Sequence, residues 1–112
     1  YMLVNLSSAI GRYVKDERAI PSLRVLLGAA DVLTRRAAAF ALRNTGSELA
    51  IPALAIALGD TDSEVRYYAV IGLGEIANQP DWRPLMDDYA LGEQKYLQYW
   101  RAWAAANGVQ PK

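Results

Sequence analysis

The sequence contains no cysteine and no histidine. Without cysteine there can be no disulfide, no thiolate nucleophile and no thiolate-held metal, and a cysteine-free chain suits an oxidising or a reducing compartment equally. The localisation is therefore left open. Without histidine, Ser-His and Cys-His pairs, imidazole acid-base chemistry and histidine-held metals are excluded within this chain. No cofactor and no metal are expected. No apolar run approaches the ~20 residues of a membrane-spanning helix, and the first residues lack the charged-then-apolar layout of a signal peptide. Neither sign of charge is in excess: 12 Lys and Arg offset 12 Asp and Glu, so no global field draws the chain to nucleic acid or an anionic membrane.

What is present is a large apolar share, 53% against 21% charged in 112 residues, enough for one domain with a continuous core. That apolar content is periodic. Sliding the sequence against itself gives a match at an offset of 31, where Glu17 to Leu42 and Glu48 to Leu73 agree at 11 of 26 positions. Such a period is the mark of a solenoid built from supersecondary units.

Each shared position has a use in a helical hairpin. Pro21 and Pro52 fit the first turn of a first helix, where the amide has no partner and φ is already helical. Leu23, Leu26 and Leu27, then Leu54 and Leu58, form one buried stripe. Gly28 and Gly59 are expected to end that helix in a left-handed turn. Asp31 and Asp62 then cap second helices running to about Asn44 and Asn78. Ala38, Ala41, Ala69 and Gly72 are the small residues that let a neighbouring helix approach.

The pattern extends in both directions. Leu3 to Val14 reads as another second helix whose partner is missing, and the chain starts at Tyr1 rather than methionine, which together predict a piece of a longer solenoid. Pro84 opens a third first helix to about Leu91, followed by a helix from Glu93 to Ala106. The predicted layout is a single domain over 1–112: a partial repeat at 1–15, repeats at 16–47 and 48–79, and an atypical closing repeat at 80–107. A frayed tail is expected from Asn107 to Lys112.

The strings "AIPSLRVLLGAAD" and "AIPALAIALGDTDSEVRYYAVIGLG" resemble the HEAT-like repeat first named from phycobilin lyases. The resemblance implies an all-α fold, an α-α superhelix of antiparallel hairpins, and says nothing specific about activity. It also implies a structural role for Asp31 with Arg35 and Asp62 with Arg66, which bond within and between repeats in such proteins. The partial repeat departs from the pattern, with Leu3 at the arginine position.

Relatives of this repeat type include bilin lyases, a metal-dependent hydroxylase, DNA glycosylases and adaptors. The hydroxylase needs histidine ligands, which this chain lacks. A carboxylate mechanism needs two acids fixed across a cleft, whereas the acids here occupy caps and turns or stand side by side at Asp87 and Asp88. A nucleic-acid reading needs a basic stripe. Arg35, Arg36 and Arg43 supply one on a single helix, but the next helix has Arg66, Tyr67 and Gly74 instead. Nothing local encodes a bilin site.

The expected function is accordingly non-catalytic: a scaffold that binds another protein or peptide through its second helices. The solvent-facing positions of the repeat fall at Arg36, Phe40 and Asn44, then at Tyr67, Ile71 and Glu75, an i, i+4, i+8 ridge. Arg36, Phe40, Tyr67 and Ile71 are the candidate partner-binding residues. The alternative is a ligand site or accessory enzymatic role in the aromatic last helix, where Tyr96, Trp100 and Trp103 share a face. Those rings form either a cradle for a ligand or the seal of the solenoid end, with Trp82 packed beside them.

Overall fold

Proline in the first turn marks the start of both short helices. The structure, a computed structural model, describes residues 17–109; the expected partial repeat at 1–15, with its helix from Leu3 to Val14, lies outside the described residues. Within them are five helices and no strand: α1 (Ile20–Leu26), α2 (Val32–Thr45), α3 (Ile51–Ala57), α4 (Ser63–Ile76) and α5 (Met86–Ala106). A 3₁₀ turn leads into α1 (Glu17–Ala19) and another into α3 (Glu48–Ala50), so every element of the second hairpin lies 31 residues after its counterpart.

The caps explain the boundaries. Asp31 and Asp62 stand at the N-caps in extended conformation and accept the Thr34 and Val65 amides, each at 3.0 Å, which satisfies a donor that the first turn leaves unpaired. The ends of the first helices differ from expectation. Gly28 and Gly59 are not left-handed; Gly28 donates to Val25 and Gly59 to Ile56, each at 3.0 Å, in a right-handed turn. Positive φ occurs at the ends of the second helices instead, at Gly46 (61°), Asn78 (58°) and Gly108 (74°).

At Asn78 the turn is a full Schellman motif, with Asn78 N–H on the Glu75 carbonyl and Gln79 N–H on that of Gly74. The same motif closes α5: Gly108 bonds Ala105 and Val109 bonds Ala104. Residues 107–109 are thus a capped helix end, not the frayed tail expected of them.

The third hairpin departs further. Pro84 does not open a helix; Leu85 after it is extended (ψ 161°) and the helix starts at Met86. The Pro80–Trp82 3₁₀ turn takes up the intervening chain. α5 spans both expected helices, broken at Gly92, whose φ of −138° and ψ of 37° are not helical.

The core lies between the short and long helices. Leu42, Leu54, Leu58, Val65, Val70 and Leu73 are fully buried, each stabilising the fold by roughly 1.5–3 kcal/mol. Small residues set how closely α2 and α4 approach. Ala38 and Ala69 are buried, and a Cβ on Gly72 would stand 3.2 Å from that of Arg43.

Candidate protein-binding face

The second helices α2 and α4 lie side by side, and arginines on α2 reach across to acids of the next hairpin. Arg36 holds Asp62 through two bonds, of 2.8 and 2.9 Å, and Arg43 holds Glu75 through two of 3.0 Å. Forked pairing of this kind fixes both position and angle. The bonds from Arg36 hold the Asp62 carboxyl down at about 2. Burial pushes the Glu75 carboxyl up, but bonds from Arg43 and Arg83 outweigh it and leave it lowered.

Arg35 and Arg66 bond within and between repeats as the resemblance implies, but to partners other than Asp31 and Asp62. Arg35 gives Nη1 to the Ala29 and Ala30 carbonyls of its own hairpin turn and Nε to Asp60 of the next one, at 3.0 Å. Arg66 repeats this one unit later, with Nη1 on the Asp60 carbonyl and Nε 2.6 Å from Glu93. The i, i+4 pairing fails because each aspartate faces the helix start it caps, whereas each arginine extends toward the neighbouring turn. Asp60, Glu75 and Glu93 are the partners that sequence reading missed. Their only sequence signal is an acid recurring about one repeat after each arginine.

This geometry also removes the basic patch. Arg35, Arg36 and Arg43 are matched by Asp60, Asp62 and Glu75, so the stripe that a nucleic-acid reading would use is neutralised residue by residue.

The expected ridge is realised only in part. Phe40 is 43% exposed and packs edge-on against Tyr68 at 5.4 Å. Its counterpart Ile71 is 6% exposed, which corrects the expectation of a second apolar knob. The Arg83–Leu85 segment lies over this part of α4, forming with Tyr67 and Ile71 the walls of a shallow pocket of about 180 Å³. Tyr67 is half-buried, its hydroxyl donating to the Pro84 carbonyl at 3.1 Å. Leu33, 64% exposed and seven residues before Phe40, was not among the expected residues. Its spacing, two turns along the same face, could have revealed it.

The aromatic helix does not form an open cradle. Trp100 is fully buried and Tyr96 nearly so, and the Trp100 indole donates to the Trp82 carbonyl at 2.9 Å. Trp82 stacks on Tyr99 at 4.0 Å and packs edge-on against Tyr96. Trp103 alone of the candidate rings is half-buried. Tyr96 and Trp100 belong to the same buried cluster as Leu58 and Leu73, with Trp82, Tyr99 and Trp103 packed against it.

Among the described residues no group of three acids, histidines or cysteines could hold a metal, and no helix is long and apolar enough to cross a membrane.

Antiparallel hairpins repeated at a fixed interval and joined by arginine bridges define an α-solenoid repeat protein. A profile of HEAT repeats matches residues 4–73, and the chain belongs to the HEAT-repeat family. HEAT repeats are commonly protein-interaction scaffolds, and the family is generally non-catalytic. No curated protein and no solved structure gives a significant match to the chain.

Proposed function

We propose that this chain is a non-catalytic module that binds a protein or peptide through the outward face of its second helices. The observation that carries this reading is the pair of apolar side chains on α2, Leu33 at 64% and Phe40 at 43% exposure, standing on a helix whose position is fixed by the Arg36 and Arg43 bridges. A rigid platform with apolar anchors spends little ordering entropy on binding. Arg36 and Tyr67 flank the anchors and supply the polar rim; Ile71 supports the surface from beneath.

The test is capture from the source cell with the wild type and with a Leu33→Asp, Phe40→Asp double variant. Leu91→Asp serves as the control, since Leu91 is 89% exposed on another helix. A partner kept by the control and lost by the folded double variant supports the reading. Equal capture by all three overturns it.

A further inference from the structure

Every aromatic ring among the described residues belongs to one unbranched chain of contacts. It starts at Phe40 and Tyr68 on the second-helix face. It crosses the core through Tyr67, Tyr89 and Tyr96, passes Trp82, and ends at Tyr99, Trp100 and Trp103 on the last helix. No step between ring centroids exceeds 6.2 Å. Past Phe40 every member is a phenol or an indole, the side chains that give up one electron most readily in a chain without cysteine.

Core packing alone does not call for phenols here. Phenylalanine or leucine would fill the same space without a hydroxyl to satisfy. Each of four hydroxyls in the chain is instead aimed at an acceptor. Tyr68 donates to Glu64 Oε2 at 2.9 Å, Tyr89 to Glu93, Tyr99 to Gln79 and Tyr67 to the Pro84 carbonyl. A phenol loses its proton when it loses an electron, so the acceptor decides where a hole comes to rest.

We propose that the rings from Trp103 to Tyr68 form a relay for an oxidising equivalent, which enters at the half-buried Trp103 and comes to rest on Tyr68, half-buried on the second-helix face. A one-electron oxidant, such as an inorganic radical or a trivalent metal polypyridyl complex, takes an electron from the Trp103 indole and is reduced. Each ring is refilled by its neighbour: Tyr99, Tyr89 and Tyr67 lend the hydroxyl proton to Gln79, Glu93 and the Pro84 carbonyl and take it back on refilling, and Tyr96 keeps its proton as the hole passes, until Tyr68 gives up an electron and passes its hydroxyl proton to the Glu64 carboxylate. The net change is one electron from Tyr68 to the oxidant, one proton from Tyr68 to Glu64, and a neutral phenoxyl radical on Tyr68. The intermediate rings end as they began.

Tyr68 is the terminus because its acceptor suits the task best. Gln79 and the Pro84 carbonyl are neutral. Glu93 is committed to Arg66, whose bonds lower its affinity for a proton. Glu64 is partly open to water at 38% side-chain exposure, and its other oxygen lies at a looser 3.7 Å from Arg36.

The absence of cysteine makes the test direct. Ala106→Cys places a unique thiol on an exposed position one turn beyond Trp103, to which a ruthenium polypyridyl is attached and oxidised by flash and quench. Transient absorption follows the indolyl and phenoxyl radicals, and a nitroso spin trap with tandem mass spectrometry locates the final one. The expected result is decay of the indolyl signal into a phenoxyl signal at a rate independent of protein concentration, with the adduct on Tyr68. Tyr96→Phe keeps the ring but not the oxidisable phenol; the Tyr68 adduct is lost and one on Tyr99 remains. Glu64→Gln, which leaves the core untouched, keeps the radical off Tyr68 and moves the adduct to rings further along the chain. A Tyr68 adduct unchanged in both variants, or no adduct beyond Tyr99 in the parent, overturns the relay.

Discussion

Arg36 and Asp62 are joined across the gap between α2 and α4 by two hydrogen bonds, of 2.8 and 2.9 Å, while the same carboxylate caps α4 through the Val65 amide at 3.0 Å. One aspartate thus starts its own helix and fastens it to the preceding hairpin.

The linkage to pH follows from that double use. Asp62 is held at about 2, and Glu75 and Glu93 are lowered as well. A depressed folded pKa contributes stability that is present above the unfolded value near 4 and lost as pH falls through the folded one. Thermal melts are expected to hold steady from pH 7 to about 5 and fall progressively toward pH 2. Arg36→Gln should flatten that fall, because it returns Asp62 toward its unfolded value. An unchanged acid profile in Arg36→Gln would refute the linkage.

Phe40 and Ile71 occupy equivalent repeat positions with opposite environments. Phe40→Asp should cost about 1 kcal/mol, the edge-on contact with Tyr68. Ile71→Asp should cost about 2–5 kcal/mol, because it removes a buried apolar side chain and puts a carboxylate in its place. Urea denaturation of both variants checks this, and equal midpoints would contradict the burial difference.

Gly74 carries the turn that follows α4. A Cβ there would meet Arg83 Cβ at 2.8 Å, with the Trp82 carbonyl at 3.3 Å, so Gly74→Ala must displace the 82–83 backbone at about 1–3 kcal/mol. Gly28→Ala is the contrast: its φ suits any residue and its nearest neighbour is at 3.5 Å. It should be neutral or raise stability by about 0.4–1 kcal/mol, by restricting the unfolded chain. Melting temperatures that rank the two variants the other way would count against this packing.

Trp100 and Trp103 separate core from surface. Trp100→Ala empties a fully buried site and strands the Trp82 carbonyl, a loss of about 3–5 kcal/mol. Trp103→Ala, at a half-buried position, should cost clearly less. Comparable losses would contradict the difference in burial between the two rings.

The hairpins themselves were legible in the residues. Pro21, Pro52, Asp31 and Asp62 act within one turn of where they stand, and the leucine stripes act through helical periodicity, so local stereochemistry and the 31-residue interval suffice to place α1 to α4. Sequence reading failed where an outcome depended on a distant neighbour. Ile71 has the spacing of a surface residue and is covered by the Arg83–Leu85 segment; Arg35 and Arg66 stand four residues from an aspartate and bond to the next unit instead. Tyr96 and Trp100 carry the spacing of either a cradle or a seal, and the Pro80–Trp82 turn closes over them. Chain-local chemistry determined which segments are helical and where α1 to α4 begin, but it misplaced the start of α5, which opens at Met86 and not at Pro84. The burial of each exposed-looking side chain and the partner of each charge were decided only by tertiary packing, because both depend on which atoms from other elements of the fold arrive within contact distance.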